Sequence, residues 1–368
     1  MREEDAAPLA ARDPAIPGLA TLLSADRLAE ALGHEVRPRR VRYKPGTSVV
    51  VAYDTGGERR WAAAFVDPVK LRTAVDRAGR AGFRVDSVPG AGSAVAGPAL
   101  ADRALVRTVS RVSALVPGLF DEAVILRHNP HRRLVVRARD RVFKISPAGT
   151  KTAGLGSIRL DRMLRPERIA DGVTSTPWWG AGDLAARPGA PSRSAAAGAL
   201  ASLHRLTPPR SLPVLAPLVE LDAAVGAVTT LAPALGPRVA ALAGQLAAGV
   251  AGAADTHEVP LHGDFSADQV LVDGAEVRLI DFDRAGRGPL ERDLGSFAAD
   301  ARLRGRGDDG DAFVAEYRAR GGGPVDAGAL RTWTSFSLLM RAVEPFRDAR
   351  SGWAGLIDDR LTAAEEAR

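Results

Sequence analysis

The 368-residue chain has no cysteine. This removes disulfides, thiolate metal sites and a cysteine nucleophile from consideration, and it suits a cytoplasmic protein. Long apolar runs are missing too. The most apolar stretch, Leu231 to Ala254, is broken by Pro233, Pro237 and Arg238, and falls short of the about 20 uninterrupted apolar residues of a membrane span. No membrane partner is expected. The opening MREEDAAPLAARD carries acids and no apolar core, so no signal peptide is expected there. Aromatic residues are scarce, at 5%, and that scarcity decides how the net charge of +6 is read. The arginines are scattered through every segment, often beside acids, with few aromatics between them. Such a pattern lacks the basic stripe of a nucleic-acid binder, and no nucleic-acid partner is expected.

What is present is a globular composition, 46% hydrophobic, with enough length for two or three cores. The stretch that organises the chain is Leu261 to Asp283, LHGDFSADQVLVDGAEVRLIDFD. Val270 to Val272 reads as a strand, Asp273-Gly274 as a hairpin turn, and Val277 to Ile280 as a second strand. The polar residues His262, Asp264 and Gln269 precede the first strand, while Asp281 and Asp283 follow the second. The hairpin thus brings Asp264 and Asp281 towards one end of a small sheet. Two carboxylates held together there call for a cation or a shared proton. Phosphoryl transfer uses such a pair, one acid taking an alcohol's proton and the other holding Mg²⁺ on the phosphates.

These residues resemble the aminoglycoside phosphotransferase and choline kinase-like family. His262-Gly263-Asp264 followed by Gln269 is similar to that family's catalytic loop, H-G-D-x-x-x-x-N. Ile280-Asp281-Phe282-Asp283 is similar to its metal-binding I-D segment, and Glu291-Arg292-Asp293-Leu294 to the acidic segment that braces the loop. The chain departs from the family at Gln269, one methylene longer than the usual Asn but with the same amide oxygen.

The resemblance implies an α+β, bilobal protein kinase-like fold with a small β-sheet N-lobe and a helical C-lobe. Residues 116–180 would be the N-lobe and hinge, and residues 181–368 the C-lobe. Residues 1–115 would be an extra N-terminal α+β domain carrying a degenerate β unit. That duplication is legible directly: Arg42-Tyr-Lys-Pro-Gly-Thr-Ser-Val-Val-Val lies over Arg127-His-Asn-Pro-His-Arg-Arg-Leu-Val-Val, each a strand, a Pro turn and a second strand before a third. The later third strand carries Lys144 between Phe143 and Ile145. The earlier one, Trp61 to Val66, has no lysine.

By resemblance, Lys144 would meet the nucleotide phosphates, and Arg132 and Arg133 would touch them from a turn without glycines. Thr176 and Trp178, in the run Val173 to Trp179, would lie at the purine. Asp264 would be the catalytic base and His262 its companion in the loop. Asp281 and Gln269 would be the metal ligands, supported by Asp283 and Asp293. Asp161, Glu167 and Asp171 are the acids available to pair with Lys144, with Asp161 preferred. Asp308, Asp309 and Asp311 sit among Gly305, Gly307 and Gly310 and read as a polar loop. The cofactors implied are ATP or GTP with Mg²⁺, and the partners are a nucleoside triphosphate and a small hydroxyl acceptor. The rival expectation is a nucleotide-binding pseudokinase serving as a regulatory module.

Overall fold

The alternating residues after Val36 form three antiparallel strands, β1 (Arg37–Lys44), β2 (Ser48–Thr55) and β3 (Glu58–Phe65). The computed structural model describes residues 1–150, 158–252 and 258–368. Residues 151–157, inside the segment expected to supply an acid for Lys144, and 253–257, at the end of the Ala-rich stretch, lie outside the described residues. Before β1, where the sequence reads as turns and one short helix capped at Ser24, the chain forms helices α1 (Glu3–Arg12), α2 (Leu19–Leu23) and α3 (Ala25–Leu32). The Ser24 hydroxyl caps α3, accepting from the Arg27 N–H at 3.4 Å. The missed α1 holds Pro8 in its interior and buries only Ala6 and Leu9, too sparse a stripe to read as a helix.

After β3, the Asp67 carboxylate accepts from the Val69 N–H at 2.8 Å and starts α4 (Pro68–Arg80). Of the apolar positions Val69, Leu71 and Val75 that the sequence offers for this helix, Leu71 packs against the core while Val69 and Val75 are 55% and 39% exposed. Ala74 and Ala78 are buried instead, because small side chains let the helix lie close to the sheet. Strands β4 (Asp86–Ser87) and β5 (Val95–Pro98) complete a sheet of order β1-β2-β3-β5-β4. Helix α5 (Val106–Leu115) leads to a second sheet of β6 (Val124–Asn129), β7 (Arg133–Ala138), β8 (Arg141–Ile145), β9 (Glu167–Ala170) and β10 (Val173–Pro177). Its order is β6-β7-β8-β10-β9. The strand order is that of the first sheet, so the repeat read over three strands extends to five. Trp61, Phe65 and Ala74 fill the first core, and Val109, Val112, Leu134, Val136, Phe143 and Ile145 the second. Each large apolar side chain buried in this way contributes roughly 1.5–3 kcal/mol.

These two sheets belong to one compact unit, Met1–Thr150 with Pro166–Trp178 and Glu344–Leu356. A second unit comprises Trp179–Val343, Ile357–Arg368 and the described part of Lys151–Arg165. In it, β11 (Gly182–Asp183) and α6 (Ala190–His204) are followed by α7 (Pro217–Leu231) and α8 (Gly236–Gly252). One stretch, Pro233–Ala251, is long and apolar enough by length and composition to cross a membrane, with mean hydropathy 1.2. It packs on α7, and Arg238 near its start binds Glu365 and Thr362.

Then come β12 (Val259–Leu261), β13 (Val270–Asp273), β14 (Glu276–Leu279) and β15 (Gly286–Gly288). Strands β11, β13 and β14 form one sheet in that order, and β12 pairs with β15. Because β13 continues through Asp273, which faces Glu276, the two-residue turn is Gly274-Ala275 rather than Asp273-Gly274. The helices α9 (Glu291–Leu303), α10 (Gly307–Ala319) and α11 (Ala327–Met340) follow. Phe265, Phe297 and Phe313 meet in the core between them, the last two with ring centroids 3.9 Å apart.

The aspartates expected in a polar loop lie in α10, with Asp308 and Asp309 in its first turn. Asp309 is bound by Arg193 at 2.9 Å and Arg306 at 3.3 Å. Where the sequence reads as one helix from Ala327 to Arg347, the structure breaks at residues 341–343, leaving α12 (Glu344–Arg347) as a single turn before α13 (Trp353–Glu366). In the first unit Arg40 of β1 binds Glu344 at 2.7 Å and Asp348 at 2.5 Å, fastening this returning segment to the first sheet.

Candidate active site

Strand β12 is buried throughout and delivers His262, which is 0% exposed. The backbone N–H groups of His262 and Gly263 both donate to the Asp293 carboxylate, at 2.7 and 2.9 Å. Asp293 is also 0% exposed and sits in the first turn of α9. It receives a third hydrogen bond, from His204 Nε2 at 3.2 Å, while His204 Nδ1 meets the Tyr317 hydroxyl at 2.9 Å. Burial alone would raise the Asp293 pKa; the hydrogen bond from His204, the charges of His204 and His262, and the Gly263 N–H outweigh it and hold the carboxyl below its ordinary range.

A polar stripe on α9 continues this role. Asp300, two helical turns beyond Asp293, accepts from the Ala267 N–H at 3.2 Å. Asp293 and Asp300 therefore grip the loop at both its beginning and its end. Asp300 was not anticipated; its only signal in the sequence is an acid seven residues after Asp293, on the same helical face.

The His262 ring is committed to structure. Its Nε2 lies 2.7 Å from the Ile280 carbonyl oxygen, and since a carbonyl only accepts, Nε2 carries the proton. The ring packs on Phe282, with centroids 4.4 Å apart. His262, placed with Asp264 in the expected catalytic set as the residue that sets the loop through hydrogen bonds, is fully buried with its ring bonded to the Ile280 carbonyl. Through that bond the loop is tied to the residue immediately before Asp281. A second tie comes from the hairpin: the Ile280 N–H donates to the Gln269 carbonyl at 3.0 Å.

Asp281 has a left-handed backbone, φ 60 and ψ 51, a conformation that Asp tolerates better than most residues. This turns the chain into the short 3-10 helix Phe282–Arg284, with Phe282 in the core and Asp281 and Asp283 half-buried. Gln269 is half-buried as well, at the end of the 3-10 turn Ala267–Gln269. Among the described residues no group of three or more His, Cys, Asp or Glu forms a metal cage. The donor set beside the hairpin's open end, a carboxylate and an amide oxygen, suits Mg²⁺, which takes one or two protein carboxylates and completes its shell with phosphate and water.

Asp264 presents a different surface. Its side chain is 43% exposed, with Arg284 Nη1 3.7 Å from one oxygen and Arg341 Nη2 3.5 Å from the other. Arg341 is held by the Ser296 hydroxyl at 3.0 Å and the Ser337 carbonyl at 3.1 Å.

In the first unit, Lys144 on β8 lies opposite Val135 of β7 and Thr174 of β10. Phe143 and Ile145 point into the core while Lys144 takes the other face, half-buried. Thr176 pairs with Val142 on the same edge of β8. Trp178 is 43% exposed and has the Arg137 guanidinium 4.2 Å above its ring; Trp179, in the second unit, is covered by Arg278 at 5.1 Å.

Of the acids considered for Lys144, Glu167 binds Arg141 at 2.7 Å, and Asp171 accepts from the Gly149 N–H at 3.0 Å. Asp161 is exposed in a turn of the second unit. Arg132 is exposed and Arg133 half-buried. The turn that carries them is anchored by Asp102, 1% exposed, which binds His128 Nε2 at 3.0 Å and the His131 N–H at 2.8 Å. Burial would raise the Asp102 pKa, but the His128 hydrogen bond and the His131 contacts bring it down to about 2. Asp102 escaped the sequence reading because its partners lie 26 and 29 residues away.

Residues 177–335 match the family described as phosphotransferase enzyme family, or APH. No curated protein matches the chain. Among solved structures, a choline/ethanolamine kinase family protein from Mesorhizobium loti is 16% identical and aligns over 72% of this chain and 95% of its own, with a TM-score of 0.54. An aminoglycoside phosphotransferase from Streptomyces rimosus is 21% identical over 64% of this chain and 98% of its own, at a TM-score of 0.47. These findings agree with the resemblance carried by His262-Gly263-Asp264 and Ile280 to Asp283: residues 177–335 match the phosphotransferase family, and the chain shares the kinase-like fold of the choline/ethanolamine kinase family protein.

Proposed function

We propose that this protein is a small-molecule kinase, transferring the γ-phosphoryl group of ATP or GTP to a hydroxyl of a small polar acceptor. The observation that carries this reading is the bracing of one loop by Asp293 and His262, which leaves Asp264 with a half-exposed carboxylate beside the segment bearing Asp281. In the reaction, the acceptor oxygen forms a bond to the γ-phosphorus. The bond from that phosphorus to the β–γ bridging oxygen breaks, and its electron pair leaves with the nucleoside diphosphate. The acceptor's proton passes to Asp264 and then to water. Asp281 and Gln269 would hold Mg²⁺, which when bound neutralises charge on the phosphate oxygens. Lys144 supplies a fixed cation for the phosphates, and Asp283 supports the metal segment. Thr176 and Trp178 would border the base, and Arg132 and Arg133 add charge near the triphosphate.

The competing reading, a nucleotide-binding module without turnover, draws on Gln269 in place of Asn and on a turn at 129–133 that lacks glycines. Two assays separate the readings. Thermal-shift titration with Mg-ATP and Mg-GTP should show stabilisation that is lost in Asp281→Ala. Phosphorylated product, followed by ³¹P NMR over a set of alcohols, should appear with wild type. Nucleotide binding with no product from any alcohol favours the binding module; neither binding nor product rejects both.

A further inference from the structure

We infer that the acceptor carries an anionic substituent, a carboxylate or a phosphate, close to the hydroxyl that is phosphorylated. This rests on the reading of Asp264 as the base of a kinase, because the acceptor hydroxyl must then come within hydrogen-bond reach of that carboxylate. Two guanidinium groups already stand there, Arg284 at 3.7 Å and Arg341 at 3.5 Å. Both distances exceed the 2.7–2.9 Å of an optimal charge-assisted hydrogen bond, so each cation retains capacity for another anion. The described cations within 4 Å of the Asp264 carboxylate are these two guanidinium groups.

Arg341 cannot swing away into bulk solvent to relieve this. Its side chain is only 18% exposed. It is pinned by the hydroxyl of Ser296, itself 5% exposed, and by the Ser337 carbonyl. Neither partner is an acid, so Asp264 is the one carboxylate recorded within 4 Å of Arg341 among the described residues. An ammonium-bearing acceptor would meet the held Arg341 guanidinium, with the more exposed Arg284 beside it, as it approached Asp264. A carboxylate or phosphate would meet a preorganised fork.

Two of the acids in this unit are already paired. Asp309 is held by Arg193 and Arg306, and Glu220 takes both its contacts from Arg292, at 2.8 and 2.9 Å. The site therefore favours a hydroxy acid or a phosphorylated alcohol over an aminoglycoside.

The test uses the full chain with Mg-ATP and three pyranoses that differ in charge: glucuronate, glucose and glucosamine, with glucose 6-phosphate and glycerate as further anions. Turnover is followed by ³¹P NMR, and binding by thermal shift in the presence of the nucleotide. The inference predicts that an anionic compound binds and reacts best. Arg341→Gln should weaken that compound by about tenfold or more, with KM rising, while Arg341→Lys restores part of the loss. The stabilisation given by Mg-ATP should be the same in both variants, which separates acceptor recognition from misfolding. Preference for glucose or glucosamine overturns the inference and leaves the kinase reading intact, as does Mg-ATP binding with no response to any anion. Absence of Mg-ATP binding in the wild type removes the kinase reading itself.

Discussion

Asp293 accepts the Gly263 N–H at 2.9 Å at a point where Gly263 adopts φ +83, and a Cβ there would lie 2.0 Å from the Arg284 carbonyl oxygen. The hydrogen bond and the missing side chain are two halves of one constraint. Gly263 must reverse the chain tightly between β12 and Asp264, with the backbone of Arg284 directly behind it. Gly263→Ala should lower stability by upwards of about 3 kcal/mol, since both the left-handed backbone and the clash oppose it. Gly274→Ala is the matched control: φ is +59 but nothing lies within 4 Å, so the expected loss is about 1 kcal/mol. Urea denaturation of the two variants checks the difference.

Removing the carboxylate of Asp293 leaves two backbone N–H groups and His204 without their buried acceptor. Asp293→Ala should cost about 3 kcal/mol or more, and Asp293→Asn less, because an amide oxygen can keep one of the bonds. The pH dependence has a definite sign. The folded-state pKa is depressed, so the contribution is complete above the ordinary carboxylate pKa of about 4 and fades as pH falls through the lower folded value. The stability gap between wild type and Asp293→Asn should therefore narrow below about pH 4.

Much of this site was legible in the sequence, and the residues that were not share a cause. The paired strands showed through because residues close in sequence create them, whereas the His262 loop and Asp293, 30 and 31 residues from its loop partners, showed through by the family resemblance. Lys144 showed through because strand alternation decides its face. The turn was misplaced by one residue because Asp-Gly is the stronger local signal, whereas cross-strand pairing extends β13 to Asp273. The glycines of α10 looked like a loop, yet Gly310 is a packing contact: a Cβ there would lie 3.1 Å from the Ala298 Cα of α9. Asp102 and Arg341 act through partners far along the chain, and no periodicity reports such pairs.

The anchored turn before β7 gives an acid-sensitive element. His131 stacks on Phe65, with ring centroids 6.0 Å apart, and burial pushes its pKa down to about 4, against which Asp102 pulls up while Arg103, Arg42 and His128 push further down. An imidazole that stays neutral in the folded state and titrates near 6.5 when unfolded loses its contribution as pH falls from about 6.5 to about 4. The cost over that window is on the order of 3 kcal/mol. His131→Asn, which retains a residue tolerant of φ 62, should flatten the curve of unfolding free energy between these pH values.

Gln269 stands where the resembling family has Asn. If its amide oxygen contributes to the Mg²⁺ shell, Gln269→Ala should raise the Mg²⁺ concentration for half-maximal nucleotide stabilisation by about tenfold. Gln269→Glu should retain or tighten it. A Mg²⁺ titration with the nucleotide fixed reads both.

The account stands most directly on Asp264. With Mg-ATP and whichever alcohol is phosphorylated, kcat should fall by about 10²-fold or more in Asp264→Asn, because the acceptor's proton loses its base, while nucleotide binding remains close to that of wild type. A kcat within a few-fold of wild type, with product formed on the same hydroxyl, would contradict the role of Asp264 and with it the proposed chemistry of the loop.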